Sequence, residues 1–130
     1  PLLDRIDMHV EVPRQNLSSQ PAPGETSESM RKRVVQARRL QQERYRGAGI
    51  AYNSELQGRV LRRYCPLPPE AERLLSLTFE SLGLSMRAHD RIVKLARTIA
   101  DLEQSDEIRT EHIAEAIQYR ALDRTFPYKK

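Results

Sequence analysis

Residues 83–102 constrain this chain more tightly than any other stretch. Ala88, Ile92, Leu95, Ala96, Ile99 and Leu102 recur at intervals of three and four, which gathers them into one stripe along a helix and requires that stripe to be buried. Gly83 breaks whatever precedes it, and Ser85 is the predicted N-cap, its hydroxyl accepting from a free amide of the first turn. At about 100° per residue, Arg87, Arg91, Lys94 and Thr98 fall on a different face. The stretch is therefore expected to pack with one side and to present cations with another.

The rest of the chain arranges itself around that helix. Ile6, Met8, Val10 and Val12 alternate with Asp7, His9 and Glu11, a period of two that predicts a half-buried strand ended by Pro13. No other segment reads as its partner, and even a two-stranded hairpin is marginal in water. Residues 1–13 are accordingly expected to be the strand-bearing tail of a preceding domain. Residues 14–25 are rich in Pro, Ser and Gln and predict a linker, with a hinge in it. Thr26 or Ser27 is expected to cap a first helix, with Glu28 in its first turn and Met30, Val34, Ala37 and Leu40 or Gln41 as a narrow apolar stripe, ended by Gly47-Ala48-Gly49.

A short second helix is predicted from Asn53 or Ser54, carrying Leu56, Val60 and Leu61 inward, weakened by Gly58 and closed by Pro66. Pro68-Pro69-Glu70 opens a third, with Ala71, Leu74, Leu75, Thr78, Phe79 and Leu82 inward. After the organising helix, Thr110 is expected to cap a fifth, whose Ile113, Ala116, Ile117 and Ala121 face the core. The expected fold is all-α: a four- or five-helix bundle over residues 26–124, preceded by one orphan strand and a linker and followed by a frayed tail at 125–130.

Composition closes off several function classes. Hydrophobic residues make up 38% of the 130 and there is no Trp, so the core must be a modest aliphatic one. Cys65 is the single cysteine, which excludes an internal disulfide, and His9, His89 and His112 are too dispersed to read as a metal site. Asp101, Asp106 and Glu107 do not form a general acid–base pair. The single cysteine makes a reducing, intracellular, cytoplasmic setting the expected one, and with no apolar run near the roughly 18 residues of a membrane span and no signal-peptide pattern, nothing in this stretch is expected to cross or target a membrane.

The positive charge is concentrated. Residues 31–63 hold ten Lys or Arg against two Glu, a local net of +8, while the whole chain carries only +4. Lys32, Arg39 and Arg46 are a heptad apart with Arg31 and Arg38 flanking them, a spacing that suits one helix side tracking nucleic-acid phosphates or pairing with acidic protein surface. Tyr45, Tyr52 and Tyr64 are candidates for base stacking, with burial as the alternative.

Four stretches in order carry a resemblance: Leu2-Leu3-Asp4-Arg5-Ile6-Asp7, then Leu84-Ser85-Met86-Arg87-Ala88, then residues 96–102, then residues 112–120. Together they resemble the C-terminal, lid-bearing part of magnesium-chelatase-like AAA+ ATPases, and within these the ComM/YifB branch implicated in natural transformation and branch migration of DNA. The resemblance implies an AAA+ lid from a ring-forming, hexameric ATPase. It implies that Arg5 matches the arginine finger, acting on the neighbouring subunit's ATP, and that Arg87 matches the sensor 2 arginine. A planar, permanently charged guanidinium suits both roles, because phosphoryl transfer needs fixed cations aimed at the γ-phosphate. ATP and Mg2+ are implied for the full-length parent and not for this chain, which contains neither a G-x-x-x-x-G-K-S/T sequence nor a Walker B pattern and is not expected to hydrolyse ATP by itself. Two alternatives share these residues: a chelatase subunit that drives metal insertion, and a DNA-binding helical module without catalytic meaning.

Overall fold

Helix starts and stops in this chain are set by local chemistry. The computed structural model describes residues 5–12 and 24–120. Thr26 caps α1 (Ser27–Arg44), its Oγ1 accepting from the Ser29 amide at 3.1 Å, with Glu28 in the first turn. A 3-10 turn (Asn53–Glu55) leads to α2 (Gly58–Tyr64), which Cys65 and Pro66 end. Pro68 and Pro69 open α3 (Pro69–Leu82), and Gly83, in the left-handed region at φ 61° and ψ 42°, closes it. Ser85 caps α4 (Met86–Leu102) through a 3.1 Å bond from the Ala88 amide to its Oγ. Finally α5 runs from Thr110 to Gln118.

The bundle is assembled on α4, which packs against α1, the 3-10 turn and α5, while α3 packs on α5. Its Ala88, Ile92, Val93, Ala96, Ile99 and Ala100 are buried, and Ile92 meets a core of Tyr45, Leu56, Leu61, Leu75, Ile108 and Ile113. Burying each large aliphatic side chain contributes about 1.5–3 kcal/mol, so this one stripe accounts for much of the bundle's cohesion. Leu95 and Leu102 lie at its margins, half-buried.

Several expectations are corrected. Residues 6–12 form no strand, and among the described residues there is none: a ladder needs a partner, and the segment instead donates one backbone bond, from His9 N to the Tyr119 carbonyl at 2.7 Å. Ile6, Met8, Val10 and Val12 are all exposed. On α1 only Ala37 and Gln41 are buried, because just its C-terminal half lies on α4; Met30 and Val34 stand 47% and 46% exposed. The second helix is split, since Gly58 at φ +54° starts α2 afresh after the 3-10 turn, and Val60 faces outward. Arg109, not Thr110, is the N-cap of α5. Residues 1–4, Pro13, all but Gly24 and Glu25 of the linker and hinge expected over 14–25, Ala121 and the tail at 125–130 lie outside the described residues.

Candidate functional site

The N-terminal turn of α4 is built by two neighbouring devices, the left-handed Gly83 and the Ser85 cap, and it carries Arg87 outward. Arg87 is exposed and makes no ion pair among the described residues; no acidic residue occupies the first turn. A cation there opposes the partial positive charge of the helix start, so it is a poor choice for helix stability and a good one for meeting an anion. Arg87 borders an open cleft of about 400 Å³ shared with Leu56, Gln57, Gly58, Asp90, Arg91 and Lys94. Lys94 reaches the Ser54 carbonyl at 3.4 Å, and Arg91 is ion-paired with Asp7. Among the described residues, Arg87 is thus the cation of this cleft with no hydrogen-bond or ion-pair partner.

Arg5, also exposed, lies two residues before that ion pair. The Arg5 segment is brought to the same helix as Arg87, with Arg91 one turn further along.

The basic first helix is only partly what its spacing predicts. Arg31, Lys32, Arg38 and Arg39 are exposed on α1. Lys32 stands 4.0 Å from Glu28 in a solvated pair that contributes little, and Arg38 sits over the Tyr52 ring at 5.5 Å. Arg33 grips Glu25, whose carboxyl is held below its ordinary value by the Ser29 hydroxyl and then by Arg33. Arg46 does not continue the row, because α1 ends at Arg44 and the chain turns.

A buried polar cluster escapes the sequence reading altogether. Asp101, wholly buried, accepts from Arg44 at 2.5 and 3.1 Å, from Asn53 Nδ2 at 2.9 Å, and ion-pairs with Arg97 at 3.1 Å. Arg97 also donates to the Ser105 and Asp106 carbonyls at 2.7 and 3.1 Å. Asn53 accepts from the Tyr45 hydroxyl at 2.5 Å and donates its backbone N–H to Gln41. The cluster joins α1, the 3-10 turn, α4 and the loop after α4. Burial works against the Arg44 charge, but its bonds to Asp101 more than offset this and its pKa lies above the ordinary value. Tyr45 is therefore no stacking platform; burial raises its hydroxyl's pKa. The available sequence signal was the four-residue step from Arg97 to Asp101, which continues the buried line of Val93.

Two other groups are structural in their geometry. Cys65 is buried, and burial pushes its thiol up to about 11. His112 Nδ1 accepts from the Arg109 amide at 2.9 Å, which leaves Nε2 protonated and donating to Glu103 at 2.7 Å. Both ring nitrogens are thereby hydrogen-bonded, and Glu103 and Glu111 bring their carboxylates within 4.8 Å of the ring.

Comparison with known proteins matches residues 24–120 to the magnesium chelatase subunit ChlI C-terminal family. YifB of Salmonella typhimurium is 42% identical over 127 residues, covering 95% of this chain and 24% of that protein. Competence protein ComM of Haemophilus influenzae is 40% identical over the same length and shares. The chain spans about a quarter of the length of the curated relatives it matches.

Proposed function

This chain belongs to the magnesium chelatase subunit ChlI C-terminal family, in its ComM/YifB branch, and on that premise we propose that it is the nucleotide-sensing lid of a ring-forming AAA+ ATPase that remodels or branch-migrates DNA. The observation that carries the reading is Arg87: an exposed guanidinium, without a partner among the described residues, held on the capped first turn of α4 beside a cleft. In this reading Arg87 is the sensor 2 arginine and Arg5 the arginine finger that meets the neighbouring subunit's nucleotide in a hexameric ring.

The donors around the cleft suit the anionic end of a nucleotide and not its metal. Arg87, Arg91 and Lys94 are cations, and Asp90 is the one carboxylate lining it. ATP supplies the phosphoryl group when bound, and its Mg2+ would be held by residues elsewhere in the full-length protein. What Arg87 contributes is a fixed positive charge that reports the presence of terminal phosphate, and the α4-centred core transmits any displacement of α4 to the whole bundle. The exposed cations of α1, Arg31, Lys32, Arg38 and Arg39, with Arg46 in the following turn, supply a sequence-insensitive contact to DNA phosphates.

The test is the ATPase rate of the full-length protein with and without single-stranded and branched DNA, for wild type and Arg87→Ala. DNA-stimulated turnover that falls on the order of tenfold or more in the variant supports a DNA motor with Arg87 in its nucleotide switch. An ATPase indifferent to DNA but abolished in the variant moves the reading to metal chelation. Wild-type turnover in Arg87→Ala removes the sensor role and leaves a binding module.

A further inference from the structure

Residues 6–9 are gripped from three directions, by Arg120, by Arg91 and by the Tyr119 carbonyl, and of these only Arg91 also lines the cleft beside Arg87. Arg120, fully buried just past α5, donates from Nη1 to the Ile6 carbonyl. Asp7 is ion-paired with Arg91 of α4. The His9 amide donates to the Tyr119 carbonyl at 2.7 Å. These contacts bear on the first, second and fourth residues after Arg5, and a chain held at those three points has little freedom left immediately before them.

The grips differ in strength. Asp7 is 60% exposed and Arg91 23%, and an ion pair so open to water is weak by itself. Arg120 is another matter, because a guanidinium kept out of water needs acceptors, and the Ile6 carbonyl is one it would lose if the segment swung away. Arg91 in turn follows Arg87 by four positions, so the two lie on one face of α4 a single turn apart. The segment bearing Arg5 is therefore referenced to the same helix as Arg87.

We infer that Arg91 and Arg120 are positioning residues: they clamp residues 6–9 onto α4 and the end of α5, so that Arg5 and Arg87 hold a constant separation and move as one body. The functional half of this inference rests on the proposed reading of Arg5 and Arg87 as phosphate-directed. The clamp itself does not, and the experiment separates the two.

In the full-length protein, hydrogen exchange of the His9 amide and the kcat and KM for ATP are measured for Asp7→Arg, Arg91→Asp, their double exchange, and Arg120→Met. Arg120→Met is expected to speed His9 exchange on the order of tenfold or more and each charge reversal at the solvent-open pair about threefold, as local opening becomes cheap; Arg120→Met and Asp7→Arg, which leave the cleft's own cations in place, are expected to lower kcat while KM stays within about twofold. The double exchange, which restores an ion pair of reversed polarity, is expected to recover both. Unchanged His9 exchange in Arg91→Asp and Arg120→Met overturns the clamp whatever the activity. Faster exchange at unaltered kcat, or a double exchange that rescues neither, overturns the positioning role. Should Arg120→Met fail to fold, the reciprocal Asp7 and Arg91 exchange carries the decision alone. Wild-type turnover in Arg5→Ala and Arg87→Ala would instead sink the nucleotide reading, with His9 exchange still deciding the clamp.

Discussion

Arg87 and Arg97 stand ten residues apart on α4, about 80° around its axis from one another, and the fold treats them in opposite ways. Arg97 is 3% exposed, and four groups stand within its reach or that of its neighbour Arg44: the Asp101 carboxylate, the Ser105 and Asp106 carbonyls and Asn53. Arg87 is exposed and meets none of these. The two arginines are chemically identical, so what distinguishes them is the supply of acceptors from other elements. A guanidinium enters the core only where acceptors are waiting for it; one that is left at the surface, at a helix end whose field opposes it, is available to a ligand.

The contrast is most exposed to refutation at Asp101. Asp101→Ala leaves Arg44 and Arg97 buried without their carboxylate, and should cost about 3–5 kcal/mol of stability, read as a drop in the denaturant midpoint at unchanged slope. A loss under about 1 kcal/mol would place the buried cluster in the same class as the surface pairs and erase the distinction.

Cys65 sharpens the comparison from inside. Burial raises its thiol to about 11 from an ordinary 9.0, even though the nearby Arg97 and Arg44 pull it down. As pH rises, the unfolded thiol ionises first while the folded one keeps its proton, so stability is lost between about pH 9 and 11. The loss attributable to this group is about 2–3 kcal/mol. Because Tyr45 shifts in the same direction, the check is the difference between alkaline unfolding curves of wild type and Cys65→Ala, the variant having the shallower decline. Equal declines would mean that the thiol is wet and the cluster above it open.

The smallest effect belongs to the exposed set. Arg87→Ala and Arg39→Ala are each expected to leave stability within about 0.5 kcal/mol of wild type by thermal melting. A large loss in Arg87→Ala would show that this arginine also belongs to the fold, and its loss of ATPase activity could no longer be read as loss of sensing.

Much of the architecture was legible in the chain because its signals are local. The stripe of α4, the Ser85 and Thr26 caps, the stop at Gly83 and the Pro68-Pro69 entry each depend on residues within one or two turns. The errors arose where a remote element decides. Met30 and Val34 have helical spacing, but among the described residues no element covers them. Arg44 reads as one more surface cation until the fold brings it to Asp101, 57 residues away. Residues 6–12 alternate as a strand does, but pairing needs a second chain segment, and alternation cannot supply one.

By itself, then, the sequence determined most of the helices, the Thr26 and Ser85 caps and the organising role of α4, which follow from spacing along the backbone, while the candidacy of Arg5 and Arg87 came from the family resemblance of four stretches. Only the tertiary structure decided which cations are consumed by the fold and which are left free, and that Asp7, Arg91 and Arg120 tie the Arg5 segment to the bundle. The physical reason is that a buried charge is tolerated only where acceptors converge on it, and convergence of elements distant in the chain is a property of packing, which spacing does not encode.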